Sequence, residues 1–194
     1  MSLLPDNLPA EAVELRRWSL DLVDLMVHAV EISFDELHPW MPWAAERPTR
    51  DGILTVIEES TASFDEDREW MFVVARPGRH EVLGSVGLHR RGEPDTLEIG
   101  YWIRSDVTGR GYATAAARAL TTAAFHHVAG TGSVEIHMNA ANRPSAAVAS
   151  RLGYRCDREV DDPWDAPGRV GRLLIWVMDR ADWEPTGSRP GLPG

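Results

Sequence analysis

An α+β sheet protein is what this sequence predicts, and three observations carry the prediction. Three β-rich runs, EWMFVVAR (69–76), EVLGSVGLHR (81–90) and TLEIGYWIR (96–104), follow one another across the turn signals PGRH and RGEPD, which reads as an antiparallel meander. Helical apolar spacing flanks the meander on both sides. Two more strand-like runs, SVEIHMN (133–139) and RLLIWVMD (172–179), lie further on with a short helix between them. The predicted order is β-α-α-β-β-β-α-β-α-β, an α+β arrangement.

Taken in order, residues 12–17 read as a first strand. From Ser19, LDLVDLMVHAVEI spaces its apolar residues as a helix does, with Ser19 as N-cap. HPWMPW (38–43) contains two prolines and cannot continue that helix. Thr49 or Asp51 caps a second helix running through Ile53, Val56 and Ile57. After the meander a glycine-containing turn leads into a helix from Ala113 to about His127. PSAAVASRLG (144–153) is a short helix closed by Gly153 at C′. The stretch 184–194, EPTGSRPGLPG, reads as a flexible tail, so 1–183 is expected to be one domain.

A chain of 194 residues can bury its own core without disulfide or structural metal. Its single cysteine, Cys156, excludes an internal disulfide framework and a multi-cysteine metal site. The seven histidines show no HxxxH or HxH spacing, so no metal is expected; His126 and His127 suit the negative end of a helix. No run approaches the roughly 20 apolar residues that span a bilayer. The N-terminus lacks a basic segment followed by an apolar run, which predicts a cytoplasmic protein with no membrane partner. The net charge is −10, and all 20 basic residues are arginines. That balance argues against a nucleic-acid partner and weakly favours a cationic substrate, although solubility alone explains a charge of this sign in most proteins.

The segment that carries chemistry is EIGYWIRSDVTGRGYATAAARAL. A strand ends near Arg104, a loop holds Gly109 and Gly111, and a helix opens at about Ala113. Glycines let successive N–H groups face one way, and the helix start adds unpaired N–H groups and a positive dipole end. Such a cradle suits a pyrophosphate, with Arg110 adding a charge-assisted contact. On spacing alone, a plain glycine turn between strand and helix remains open. The segment matches neither GxxxxGK[ST] nor a GxGxxG following the first strand of a βαβ unit.

EIGYWI followed by TGRGYAT resembles the acyl-coenzyme A motif [Q/R]-x-x-G-x-[G/A] of the GNAT acetyltransferases. NRPSAAVASRLGY (142–154) is similar to N-x-x-S-x-x-V-x-x-x-x-G-[F/Y] of the branch containing the ribosomal-protein N-terminal acetyltransferases. The likeness covers about residues 12–180, with one departure: Thr108 stands where the motif has Gln or Arg. The resemblance implies a GNAT fold, a mixed but mostly antiparallel central sheet with helices on both faces. Its fourth and fifth strands, here 96–104 and 133–139, would splay apart around the pantetheine arm. It implies acetyl-CoA as donor and transfer of the acetyl group to a primary amine, on a protein N-terminus or a small molecule such as an antibiotic. Carried over residue by residue, Tyr101, Trp102, Ile103 and Arg104 form the strand edge beside that arm. Thr108, Gly109, Arg110, Gly111, Tyr112, Ala113 and Thr114 cradle the diphosphate, and Asn142 bonds the arm or a water.

The same resemblance makes Glu98 the candidate base, against a solvent-facing strand carboxylate, and Ser145 the acid or water anchor, against a plain helix cap. Tyr154 is the other hydroxyl and is expected to pack in the core. Cys156 is expected to be a small buried hydrophobe. Trp40 and Trp43, with Asp35 and Glu36 just upstream, form an aromatic, acidic acceptor wall or else cap the core. The alternatives are a succinyl-type donor, a non-catalytic acyl-CoA-binding module and an unrelated α+β domain. A homodimer paired through the closing strand is compatible with the sequence.

Overall fold

A computed structural model describes residues 3–164 and 166–183; the expected tail, 184–194, lies outside the described residues. The strands are β1 (Asn7–Pro9), β2 (Glu14–Arg17), β3 (Glu69–Ala75), β4 (Gly84–His89), β5 (Thr96–Ile103), β6 (Ser133–Asn139), β7 (Arg155–Asp161) and β8 (Arg172–Asp179). The helices are α1 (Val23–Ile32), α2 (Phe34–Leu37), α3 (Arg50–Asp65), α4 (Tyr112–His127) and α5 (Arg143–Arg151). The strands form one sheet in the order β1-β2-β3-β4-β5-β6-β8-β7. Every neighbouring pair is antiparallel except β5 and β6.

Alternation along β3 shows how the sheet divides two cores. Trp70, Phe72 and Val74 join the core built by α4 and α5, while Val73 joins the core built by α1 and α3. The first core is closed by Leu120 of α4 and by Ala115, Ala116, Ala117, Ala123 and Ala124, small residues that let the helix lie close to the strands. The second packs Val23, Met26, Ala29 and Val30 of α1 against Ile57 of α3. Helices therefore cover both faces.

Several local expectations need correcting. Ser19 caps no α-helix: it precedes a 3₁₀ turn (Leu20–Leu22), its hydroxyl bonds to Asp21, and α1 starts at Val23. Of the two candidate caps for α3, Thr49 does the work, its Oγ1 accepting from Gly52 N–H at 3.1 Å. β1 and β7 add to the six expected strands. β7 (RCDREVD) carries almost no apolar residue, because it is an exposed edge strand whose charges discourage further pairing. Cys156, expected to be buried, is exposed on it. β8 lies between β6 and β7, so both of its edges are paired and it is not a free edge for a partner chain. Among the described residues no helix is long and apolar enough to cross a membrane, and no cluster of His, Cys, Asp or Glu could hold a metal ion.

Candidate active site

β5 and β6 pair only over Thr96↔Ser133, Leu97↔Val134 and Glu98↔Glu135. Beyond that row β5 continues to Ile103 against β4 alone, and β6 continues to Asn139 against β8 alone. The strands thus part at Glu98, opening a V whose β5 wall is residues 99–103. Arg104 N–H donates to Leu83 O, which directs the even-numbered residues of β5 toward β4. Alternation then turns the N–H and C=O groups of Ile99, Tyr101 and Ile103 into the gap. An extended ligand there would complete the ladder as a strand does.

At the open end of the V stands the glycine loop. Gly109 and Gly111 sit at φ +75° and +80°, a conformation that favours glycine. Gly111 is the N-cap of α4, and no side chain caps that helix. Its first N–H groups are left facing the cleft, as an anion site requires. Thr108, the departure from the motif, turns its Oγ1 back to donate to Ser105 O at 3.0 Å, so it braces the loop. Arg110 is exposed and lines the cleft.

A cleft of about 1990 Å³ joins these parts. It is lined by Glu98, Tyr101, Trp102, Ile103, residues 108–114, Asn142, Ser145, Trp40, Trp43 and Glu36. Arg104 is the exception. Its guanidinium grips Asp106 (Nε–Oδ1 2.6 Å) and donates to Val82 O, while its carbonyl accepts from Val107. It fixes the end of β5 instead of lining the gap. Asp35 also turns away, facing Arg47 at 3.7 Å.

The two faces of β5 separate two kinds of chemistry. Tyr101 points toward α5, where its hydroxyl donates to Ser145 O at 3.2 Å and lies 2.9 Å from Ser145 Oγ, whose own proton can complete that second bond. Burial pushes this phenol up to about 12, so it stays protonated at neutral pH. Asn142 Oδ1 accepts from Ser145 N–H, spending that oxygen on capping α5. Tyr154 is buried and its hydroxyl pairs with Thr121. Glu98, Gly100 and Trp102 point the other way, toward α1 and α3. There Trp43, 53% exposed, tilts against Trp102 with ring centroids 6.1 Å apart.

Charges crowd the same face, and sequence reading singled out only Glu98 among them. Glu69, His89, Glu98 and Glu135 are consecutive register partners across β3, β4, β5 and β6. His89 Nδ1 lies 3.2 Å from Glu69 Oε1, and the adjacent ring holds the Glu69 carboxyl low against its burial. His137 reaches both Glu98 and Glu135. The signal was the alternation E-I-H in β6, legible only once the register is known. The roof over this face is tied down by Asp162. It takes a two-pronged contact from Arg169 (2.7 Å each), which also donates to Trp40 O, and a bond from Asn139 Nδ2.

The model of the acetyltransferase (GNAT) domain family matches residues 12–155. YdaF of Bacillus subtilis (strain 168), named as a candidate ribosomal N-acetyltransferase, is 31% identical over 104 residues, 53% of this chain and 56% of that protein. The match thus spans about half the length of that relative. Mycobacterium smegmatis RimJ, solved with a CoA-disulfide, superposes with a TM-score of 0.83 at 22% identity, over 93% of this chain and 90% of that one. RimL, a ribosomal L7/L12 alpha-N-protein acetyltransferase solved with coenzyme A, gives 0.82 at 17% identity, over 91% of this chain and 99% of that one. At these identities the solved structures show the shared fold.

Proposed function

From the premise that this chain belongs to the GNAT acetyltransferase family, we propose that it transfers an acetyl group from acetyl-CoA to a primary amine, by direct attack within the V between β5 and β6. The observation that carries the proposal is the early end of the β5–β6 ladder at Glu98, opposite an uncapped helix start. The residues fit the donor: N–H groups of 109–114 for its diphosphate, and the free backbone edge of Ile99, Tyr101 and Ile103 for its arm. When bound, acetyl-CoA supplies a thioester carbonyl open to attack by an amine.

An α-amine is mostly protonated at pH 7, since it ionises at about 7.7–8.0. Glu98, at the apex of the V and on the acceptor face, takes the proton. A strand N–H facing the gap, that of Ile99 or Tyr101, stabilises the charge that develops on the carbonyl oxygen. On the opposite face the leaving sulfur meets the Tyr101–Ser145 hydroxyl pair. A thiol of the cysteine type ionises near 8.5, well below a phenol at about 12. Tyr101 therefore stabilises the thiolate by turning its one proton from Ser145 O to the sulfur as a hydrogen-bond donor instead of surrendering it, and Ser145 Oγ anchors Tyr101. Trp43, Trp102 and Glu36 form an aromatic, acidic acceptor wall that suits a cationic amine.

Acceptors are found with labelled acetyl-CoA and a panel of small amines and short peptides with free N-termini. Glu98→Gln is expected to lose roughly 10²–10⁴-fold in kcat while acetyl-CoA still raises its melting temperature as in the wild type. Full turnover in that variant removes Glu98 from the mechanism. A wild type that binds acetyl-CoA but acetylates nothing on the panel defeats the transferase reading.

A further inference from the structure

Parallel pairing sets Glu98 directly across from Glu135 in the last paired row, two carboxylates on one face of the sheet. Like charges so placed repel. Two residues along β6, His137 lies on the same face and bridges them. Its Nε2 is 2.6 Å from Glu135 Oε2 and its Nδ1 is 3.5 Å from Glu98 Oε2. Arg158 of β7 donates to the other Glu135 oxygen at 3.0 Å. Burial pushes the Glu135 carboxyl up, but His137 and Arg158 outweigh it and hold the group below its ordinary range. Arg91 approaches Glu98 to 3.9 Å, and Glu69 and His89 continue the row on β3 and β4. From β8 the residues opposite Glu135 and His137 are Val177 and Ile175, which carry no charge.

We propose that His137, its ring oriented by the ionised Glu135, relays the acceptor's proton from Glu98 to solvent, so that the proton leaves the reacting centre along β6 toward β7. The relay rests on the transferase reading above and on Glu98 as its base. The short contact with a carboxylate places the ring proton on Nε2 and leaves the Nδ1 lone pair facing Glu98, the tautomer a proton acceptor needs. The 3.5 Å gap tightens when Glu98 carries a proton to share. In each turnover the N–H bond of the ammonium breaks as an O–H bond forms on Glu98. That proton moves to Nδ1 of His137, and the Nε2 proton, held against the ionised Glu135 carboxylate, is released to water beside Arg158, which is 47% exposed. The attacking nitrogen gives up its second proton as the C–S bond breaks, and that proton ends on the departing thiolate; protonated amine and acetyl-CoA thus become amide, coenzyme A thiol and one released proton, so the step balances. Exchange with water restores the starting tautomer. His137 is thus a positioning residue that acts through Glu98.

The experiment compares wild type, His137→Ala and His137→Gln on whichever panel amine the wild type acetylates fastest. Both variants are expected to keep KM for acetyl-CoA within about twofold and to lose kcat roughly 10-fold or more. Added imidazole is expected to restore His137→Ala in proportion to its concentration and to leave the wild type unmoved. A loss in His137→Ala that imidazole does not touch, at normal melting temperature and KM, overturns the relay and leaves a structural role. If His137→Ala does not fold, His137→Gln decides: kcat lowered at constant KM supports the relay, and any other result overturns it. A wild type inert toward every amine removes the transferase reading and the relay together, whereas an active wild type with an indifferent His137→Gln removes the relay alone.

Discussion

Tyr101 shows how far a single residue's role depends on what surrounds it. As a strand residue beside a motif it was legible only as backbone; its hydroxyl, aimed at Ser145 across the V, was not, because sequence says nothing of what α5 brings opposite it. Ser145 was legible as a motif serine, with a cap and an acid both open. The structure assigns the cap to Asn142 and gives the serine a phenol partner. If Tyr101 stabilises the leaving sulfur, Tyr101→Phe should lower kcat by about tenfold, the loss of one hydrogen bond of roughly 1.5 kcal/mol to a charged group. KM for acetyl-CoA should stay near the wild-type value. Steady-state kinetics with acetyl-CoA decide it, and an unchanged kcat would return the role to water.

At the level of elements, legibility followed the apolar pattern. The meander, α4 and β8 bury apolar residues at regular spacing and stood out at once. β7 did not, because an edge strand of Arg, Asp and Glu displays no inward face to detect. The start of α4 was legible from its two glycines, and its use depends on their left-handed backbone. Placing a Cβ at φ +80° costs about 1–2 kcal/mol. Gly111→Ala meets open space around the new carbon, so the strain falls on the backbone that aims the N–H groups. The variant is expected to fold with a lowered melting temperature and to bind coenzyme A several-fold more weakly by calorimetry. Equal affinity would remove this helix start from the cradle.

Across the whole molecule, the acceptor face is roofed by segments far apart in sequence, and Asp162 holds them. Its side chain is fully covered (0% exposed) and Arg169 nearly so (9%). Burial raises the Asp162 carboxyl, but Arg169, Asn139 and the Trp164 N–H outweigh it and set it below its ordinary range. A carboxyl lowered in the folded state contributes stability that is present above its unfolded value, about 3.9, and lost as pH falls from there through the folded value. Asp162→Ala strands a buried guanidinium and is expected to cost about 3–5 kcal/mol near neutral pH. That cost should shrink in denaturant melts below about pH 4. A penalty that does not vary with pH would assign the loss to packing. No sequence pattern announced this knot, since Asp162, Arg169 and Trp40 meet only in the folded chain. The stretch of β5 that β6 leaves unpaired, residues 99–103, has one more property. At about 3.3 Å per residue it is a ruler roughly 16 Å long, laid between the glycine loop at one end and Glu98 at the other. A donor is measured from its phosphates inward, so a truncated arm can be held as firmly as a complete one and still stop short of the carboxylate.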